Sequence, residues 1–170
     1  MHSEKKQHEN QEAIWNTLAP SVAFSIEPDF YNLQRLVSKK SRVLDFGCGY
    51  GRVAKKLKDC GYKNIIGIDS SLEMIRRGIT EYPELDLRHA KSSQSLVDHG
   101  KFDAIIFCAA LTCMPESNIR KSSIEMAHSM LTDDGIIYCC EFARNSNTEY
   151  SNDGCFESGI GIKMKHFLVD

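Results

Sequence analysis

The stretch Val43-Leu44-Asp45-Phe46-Gly47-Cys48-Gly49-Tyr50-Gly51 constrains the fold of this chain more than any other. A short apolar run suits a strand buried on both faces of a parallel sheet. The alternate glycines suit a backbone that turns sharply and lets another group approach closely. Next comes Arg52-Val53-Ala54-Lys55-Lys56-Leu57, with Val53 and Leu57 four apart on one helical face. The unit therefore reads as strand, Gly-rich turn, helix, with a ligand crevice beyond the carboxyl end of the strand.

The acid narrows the kind of ligand. A carboxylate at the strand tip repels pyrophosphate, and it attracts a ligand that carries cationic groups. The spacing also departs from the dinucleotide fingerprint G-x-G-x-x-G. Arg52 stands where the third glycine of that fingerprint falls. A nicotinamide-dependent oxidoreductase is the first alternative, and Asp45 and Arg52 both oppose it.

Strand and helix patterns alternate through the middle of the chain. Strands are expected near 42–46, 64–68, 85–88, 102–108 and 135–141, and helices near 51–60, 71–80, 92–98 and 116–131. Alternation of this kind predicts a doubly wound α/β fold, a mostly parallel sheet with helices on both faces. Two helices are expected before the first strand, near 4–18 and 28–37. The expected organisation is an N-terminal helical lid over 1–40, a core over 41–142 and a tail over 143–170.

Composition excludes several classes. Hydrophobic residues make up 42% and charged residues 26%, ordinary proportions for a globular domain. The net charge of −2 predicts no broad basic face, so nucleic acid is not an expected partner. The longest apolar run, Ala104 to Leu111, is eight residues and too short to cross a bilayer. The first residues lack the apolar core of a signal peptide, and a cytoplasmic protein is expected. The seven cysteines are scattered without a C-x-x-C pair, which favours free thiols over a metal site.

Four motifs in order resemble the class I S-adenosylmethionine-dependent methyltransferases. They are Asp45-Phe46-Gly47-Cys48-Gly49-Tyr50-Gly51, Asn64 to Ser70, Phe102 to Cys108, and Leu131 to Tyr138. Through Ala110-Leu111-Thr112-Cys113-Met114-Pro115 the chain is most similar to the small-molecule, tellurite-resistance-like branch. The resemblance implies a Rossmann-like sheet, S-adenosyl-L-methionine as cofactor and a small-molecule methyl acceptor. It also implies a longer sheet than this chain supplies. The chain is expected to stop before the last family strands, with His166 to Asp170 as the start of a further helix. One or two short strands are expected within Gly159–Ile162 and Lys163–Phe167.

The resemblance also implies roles. Asp45 meets the methionine amino group, and Gly47, Cys48 and Gly49 pass the methionine portion over bare backbone. Asp45 as a cap of the following turn is the alternative. Asp69 lies 22 residues beyond Gly47, matching an acid that pairs with ribose hydroxyls. The alternative for Asp69 is a helix N-cap. Ser70 and Met74 follow as weaker contacts, Met74 either under the adenine or in the core. His89 stands where the family often has an acid for the adenine amino group. That leaves the backbone N–H groups of Ala90 and Lys91 for the ring. Cys108 ends the fourth strand, where the methyl group faces its acceptor. The base-methylating motif, Asn or Asp followed by Pro-Pro and an aromatic, is absent there. Thr112, Glu116 and Glu141 read as structural polar groups. Positioning alone can supply about 7–11 kcal/mol to an in-line methyl transfer, so no catalytic side chain is required, and none is assigned. The second alternative is a methyltransferase-like domain that binds cofactor or partner without turnover.

Overall fold

The apolar runs form the expected strands. The computed structural model describes residues 11–90 and 100–168. Five strands make one sheet: β1 (Arg42–Phe46), β2 (Asn64–Asp69), β3 (Asp86–His89), β4 (Phe102–Cys108) and β5 (Leu131–Cys140). Their order is β3-β2-β1-β4-β5, and every neighbouring pair is parallel. β1 is central, and its Asp45 sits in register with Gly67 of β2 and Ile106 of β4. The chain order reverses between β1 and β4, so the crevice of a doubly wound sheet opens at the tip of β1.

The helices cover both faces. Residues 11–18 form α1, followed by α2 (Phe30–Leu36), α3 (Arg52–Asp59), α4 (Leu72–Glu81) and α5 (Ser117–Ser129). On one face Leu33, Val53 and Leu57 pack against Val43, Ala104 and Ile106. Ile75 of α4 joins Ala54 and Leu87 there. On the other face Ala127 and Met130 pack on Leu44, Ile66, Ile105 and Phe107. Tyr62 shows how the core keeps a polar atom satisfied: its ring is buried and its hydroxyl donates to Val37 O at 2.9 Å. The expected helix at 92–98 and the N-terminal part of the one at 4–18 lie outside the described residues.

Three expectations near the C-terminal end are corrected. β5 begins at Leu131, four residues before the expected start at 135. Leu131 pairs with Phe102 and Ile136 with Ala104, so residues 132–135 bulge opposite Asp103. That carboxylate accepts from Arg42 N at 2.7 Å and supports the bulge through Thr132 Oγ1 at 3.4 Å. In the tail, Gly159–Ile162 is a turn closed by Gly161 N donating to Ser158 O at 2.9 Å. It joins β6 (Cys155–Glu157) to β7 (Lys163–Lys165), a separate antiparallel pair. His166 to Leu168 does not begin a helix. Phe167 bridges Ala143 in parallel, and the His166 ring packs among Phe142, Tyr150 and Phe156. Burial of that aromatic ring cluster outweighs the helical pattern of the segment.

Candidate active site

The Gly-rich turn works because of its backbone. Gly47 and Gly49 have φ of +73° and +55°, a region other residues rarely enter. Space is equally restrictive. A Cβ at Gly47 would stand 2.8 Å from Ala110 Cβ, and one at Gly49 would stand 2.9 Å from the Phe24 ring. The N–H groups of Gly47 and Cys48 both donate to Ile68 O at 2.9 Å, which ties the turn to the tip of β2.

Two acids flank this turn, Asp45 buried and Asp69 half-buried. Asp45 is 1% exposed, and its Oδ2 accepts from Ala54 N at 3.1 Å in the first turns of α3. Burial raises its carboxyl to about 7, against the opposing pull of the Ala54 hydrogen bond and the Arg52 charge. The capping alternative for Asp45 therefore holds for one oxygen. Asp69 accepts from Gly49 N and Ser71 N, both at 2.8 Å, and burial raises its carboxyl too. The N-cap of α4 is Ser71, whose hydroxyl accepts from Met74 N at 3.2 Å, so the capping alternative for Asp69 is set aside.

These residues line one cavity of about 250 Å³ at the switch point. Asp45, Gly47, Cys48, Gly49, Asp69, Ser70, Met74, Ala90 and Cys108 all border it. Met74 is also packed with Ala19 and Tyr50, so its core and lining readings hold together. Cys48 is buried with Ala54, Ile75 and Leu87, and burial pushes its thiol up. The Cys108 thiol is raised to about 12, chiefly by burial, so it stays protonated and is not an activated thiolate. The N–H of Ala90 already donates to Asp69 O at 2.9 Å, which takes up the group expected for the adenine ring. Lys91 lies outside the described residues. His89 turns away to pair with Ser70 O at 3.0 Å.

The sequence reading missed several lining residues. Gln11 and Glu12 come from α1 beside Trp15, and Phe24 comes from the strap that follows. Trp15, Phe24 and Tyr50 form a ring cluster, with Phe24 stacked on Tyr50 at 5.4 Å. Asn16 Oδ1 accepts from Ser71 Oγ at 2.7 Å and Glu73 N at 3.1 Å, which docks α1 on α4. Arg52 also lines the cavity. One of its terminal nitrogens donates to Ile26 O, while its Nε is buried without a hydrogen-bond partner among the described residues. Ala109, at the tip of β4, holds a strained φ of +56°. Glu141 secures the next turn by accepting from Leu111 N at 2.9 Å and Thr112 N at 3.0 Å, a structural role. Thr112 in turn donates to Lys165 O.

A methyltransferase-domain family model matches residues 29–163. The chain belongs to the methyltransferase-domain family. Its fold is that of the class I S-adenosylmethionine-dependent enzymes, and a SAM-dependent methyltransferase from Methanosarcina mazei shares it. That structure is 23% identical with a TM-score of 0.70, over 85% of this chain and 80% of the other. DhpI in complex with SAM and HEP is 17% identical with a TM-score of 0.65, over 94% and 81%. A TehB-like SAM-dependent methyltransferase from Corynebacterium glutamicum is 21% identical with a TM-score of 0.59, over 90% and 74%. No curated protein matches the chain. No helix among the described residues is long and apolar enough to cross a membrane.

Proposed function

We propose that this methyltransferase transfers the methyl group of S-adenosylmethionine to a small-molecule acceptor, with the cofactor across the Gly47–Gly51 turn. The observation that carries the reading is the pairing of opposite charges in one buried cavity. Of the two Asp45 oxygens only Oδ2 takes a protein hydrogen bond among the described residues, and Arg52 Nε is left without a partner there. An amino acid end with one ammonium and one carboxylate satisfies both at once, and charge-assisted hydrogen bonds are the strong ones. Gly47 and Gly49 border the cavity with bare backbone, and a Cβ at either would collide with Ala110 or Phe24.

Each residue then has a task. Asp69 holds the ribose hydroxyls with the second lone pairs of its oxygens. Met74 and Ala90 offer apolar contact to the adenine. Cys108 borders the acceptor end of the cavity. When bound, the cofactor supplies an electrophilic methyl on sulfonium. The chain orients donor and acceptor, and α1 with its strap excludes water. No side chain is asked to move a proton. The small acceptor is supported by the cavity volume of about 250 Å³ beneath Trp15 and Phe24 and by the net charge of −2. DhpI, a neighbour in fold, is known as a complex with SAM and HEP.

Calorimetry with S-adenosylhomocysteine, followed by a panel of small amine, oxygen and thiol acceptors, tests this. Saturable one-to-one binding and product formation with a small acceptor are expected. Absence of binding overturns the cofactor reading. Binding without turnover across the panel favours the non-catalytic alternative.

A further inference from the structure

The sulfurs of Cys108 and Cys140 are brought together by the register of the sheet. The two residues are direct partners across β4 and β5, 32 positions apart in sequence. Residues in register on parallel strands point to the same face. That face is the one carrying Ile106 and Tyr138, where Cys108 also packs. Cys139, one residue earlier, points the other way. Ile26 O and Glu27 O of the strap stand 3.8 and 3.5 Å from Cys108 and Cys140 respectively. Both cysteines are half-buried rather than sealed, and Cys108 borders the cavity. All seven cysteines of the chain are free thiols.

We propose that Cys108 and Cys140 form a dithiol site for a trivalent, thiophilic arsenical or antimonial. Soft sulfur donors select soft acceptors. Zinc is a poor fit, because it takes four ligands and no third acid, histidine or cysteine joins the pair among the described residues. A trivalent arsenical is satisfied by two sulfurs and the group it already carries. The chemistry is a condensation. With an organic arsine oxide, two S–H bonds and the arsenic–oxygen bond break, and two S–As bonds form. The oxygen leaves as water with both thiol protons. Arsenic stays trivalent and no oxidant is consumed. Burial holds both thiols protonated, so each passes its proton to the arsenic-bound oxygen as its sulfur adds.

Phenylarsine oxide is the probe. The reduced full-length chain is titrated, alkylated with iodoacetamide and mapped by mass spectrometry. One arsenical per chain is expected, with Cys108 and Cys140 as the two cysteines protected from alkylation. Cys108→Ser and Cys140→Ser should each weaken binding by about 100-fold or more, the low end of the gain from an intramolecular second bond. Cys139→Ser should bind as wild type. Protection of any other pair, or none, overturns the site, and this measurement uses only the wild-type chain. Wild-type affinity in both serine variants overturns it independently.

Discussion

Asp45 should make cofactor binding a proton-releasing event. Its carboxyl lies at about 7 in the free protein, raised from an ordinary 3.8 chiefly by burial. An ammonium placed against it would hold it ionised, so a protonated Asp45 must lose its proton on binding. At pH 7 about half of the molecules are protonated, and binding should release about half a proton. Affinity should improve about tenfold from pH 6 to pH 8, following the ionised fraction. Calorimetry with S-adenosylhomocysteine in buffers of different ionisation enthalpy reads both quantities. Stability moves the other way. A carboxyl raised by folding keeps its extra proton only in the folded state, so stability falls as pH rises from 3.8 towards 7. The full penalty at pH 8 is about 4 kcal/mol, since each pH step between 3.8 and 7 costs about 1.4 kcal/mol. Fully buried Val43 and Leu44 each offset about 1.5–3 kcal/mol of it. Asp45→Asn should therefore stabilise the cofactor-free protein at pH 8, change little near pH 4, and bind cofactor weakly without a pH slope. A pH-independent affinity with no proton release, or the full slope surviving in Asp45→Asn, would refute the reasoning.

Other perturbations separate the parts of the site. Asp69→Ala should weaken S-adenosylhomocysteine binding by about 1.5–3 kcal/mol, and wild-type affinity by calorimetry would remove its ribose role. Gly49→Val combines a φ of +55° with a Cβ 2.9 Å from Phe24, so lost binding together with a lowered thermal midpoint is expected. A folded, tight-binding variant would place the ligand elsewhere. Tyr62→Phe removes the hydroxyl bond to Val37 O and should cost about 1 kcal/mol in a denaturant titration, with cofactor affinity unchanged. Trp15 borders the cavity and should change its emission when cofactor binds; unchanged emission at saturation would argue that α1 is a fixed wall rather than a lid.

The parts legible in the sequence were those written in short-range spacing. The run Val43–Gly51 carries the strand, the turn and the start of α3 within nine residues. Asp69 was found because it ends a run of buried type. Arg52 shows the limit. Its place after Gly51 was visible, but the orphaned Nε depends on Ile26, a residue of the strap, taking another of its nitrogens. The tail was misread for a related reason. Alternating small and apolar residues at Gly159–Ile162 look like a strand, but the positive φ of Gly161 makes a turn there.

By itself, then, the sequence determined the local conformations and the class of ligand: periodicity selects strand or helix, and an acid before alternate glycines selects a cationic guest. Only the tertiary structure decided what stands opposite what. The Cys108–Cys140 pair, the closure of Phe24 over Gly49 and the docking of α1 through Asn16 each join residues far apart in the chain. Such contacts depend on strand register and crossover path, and a slip of one residue turns every side chain to the other face. No pattern within a single strand records that choice; the packing of both faces of the sheet makes it.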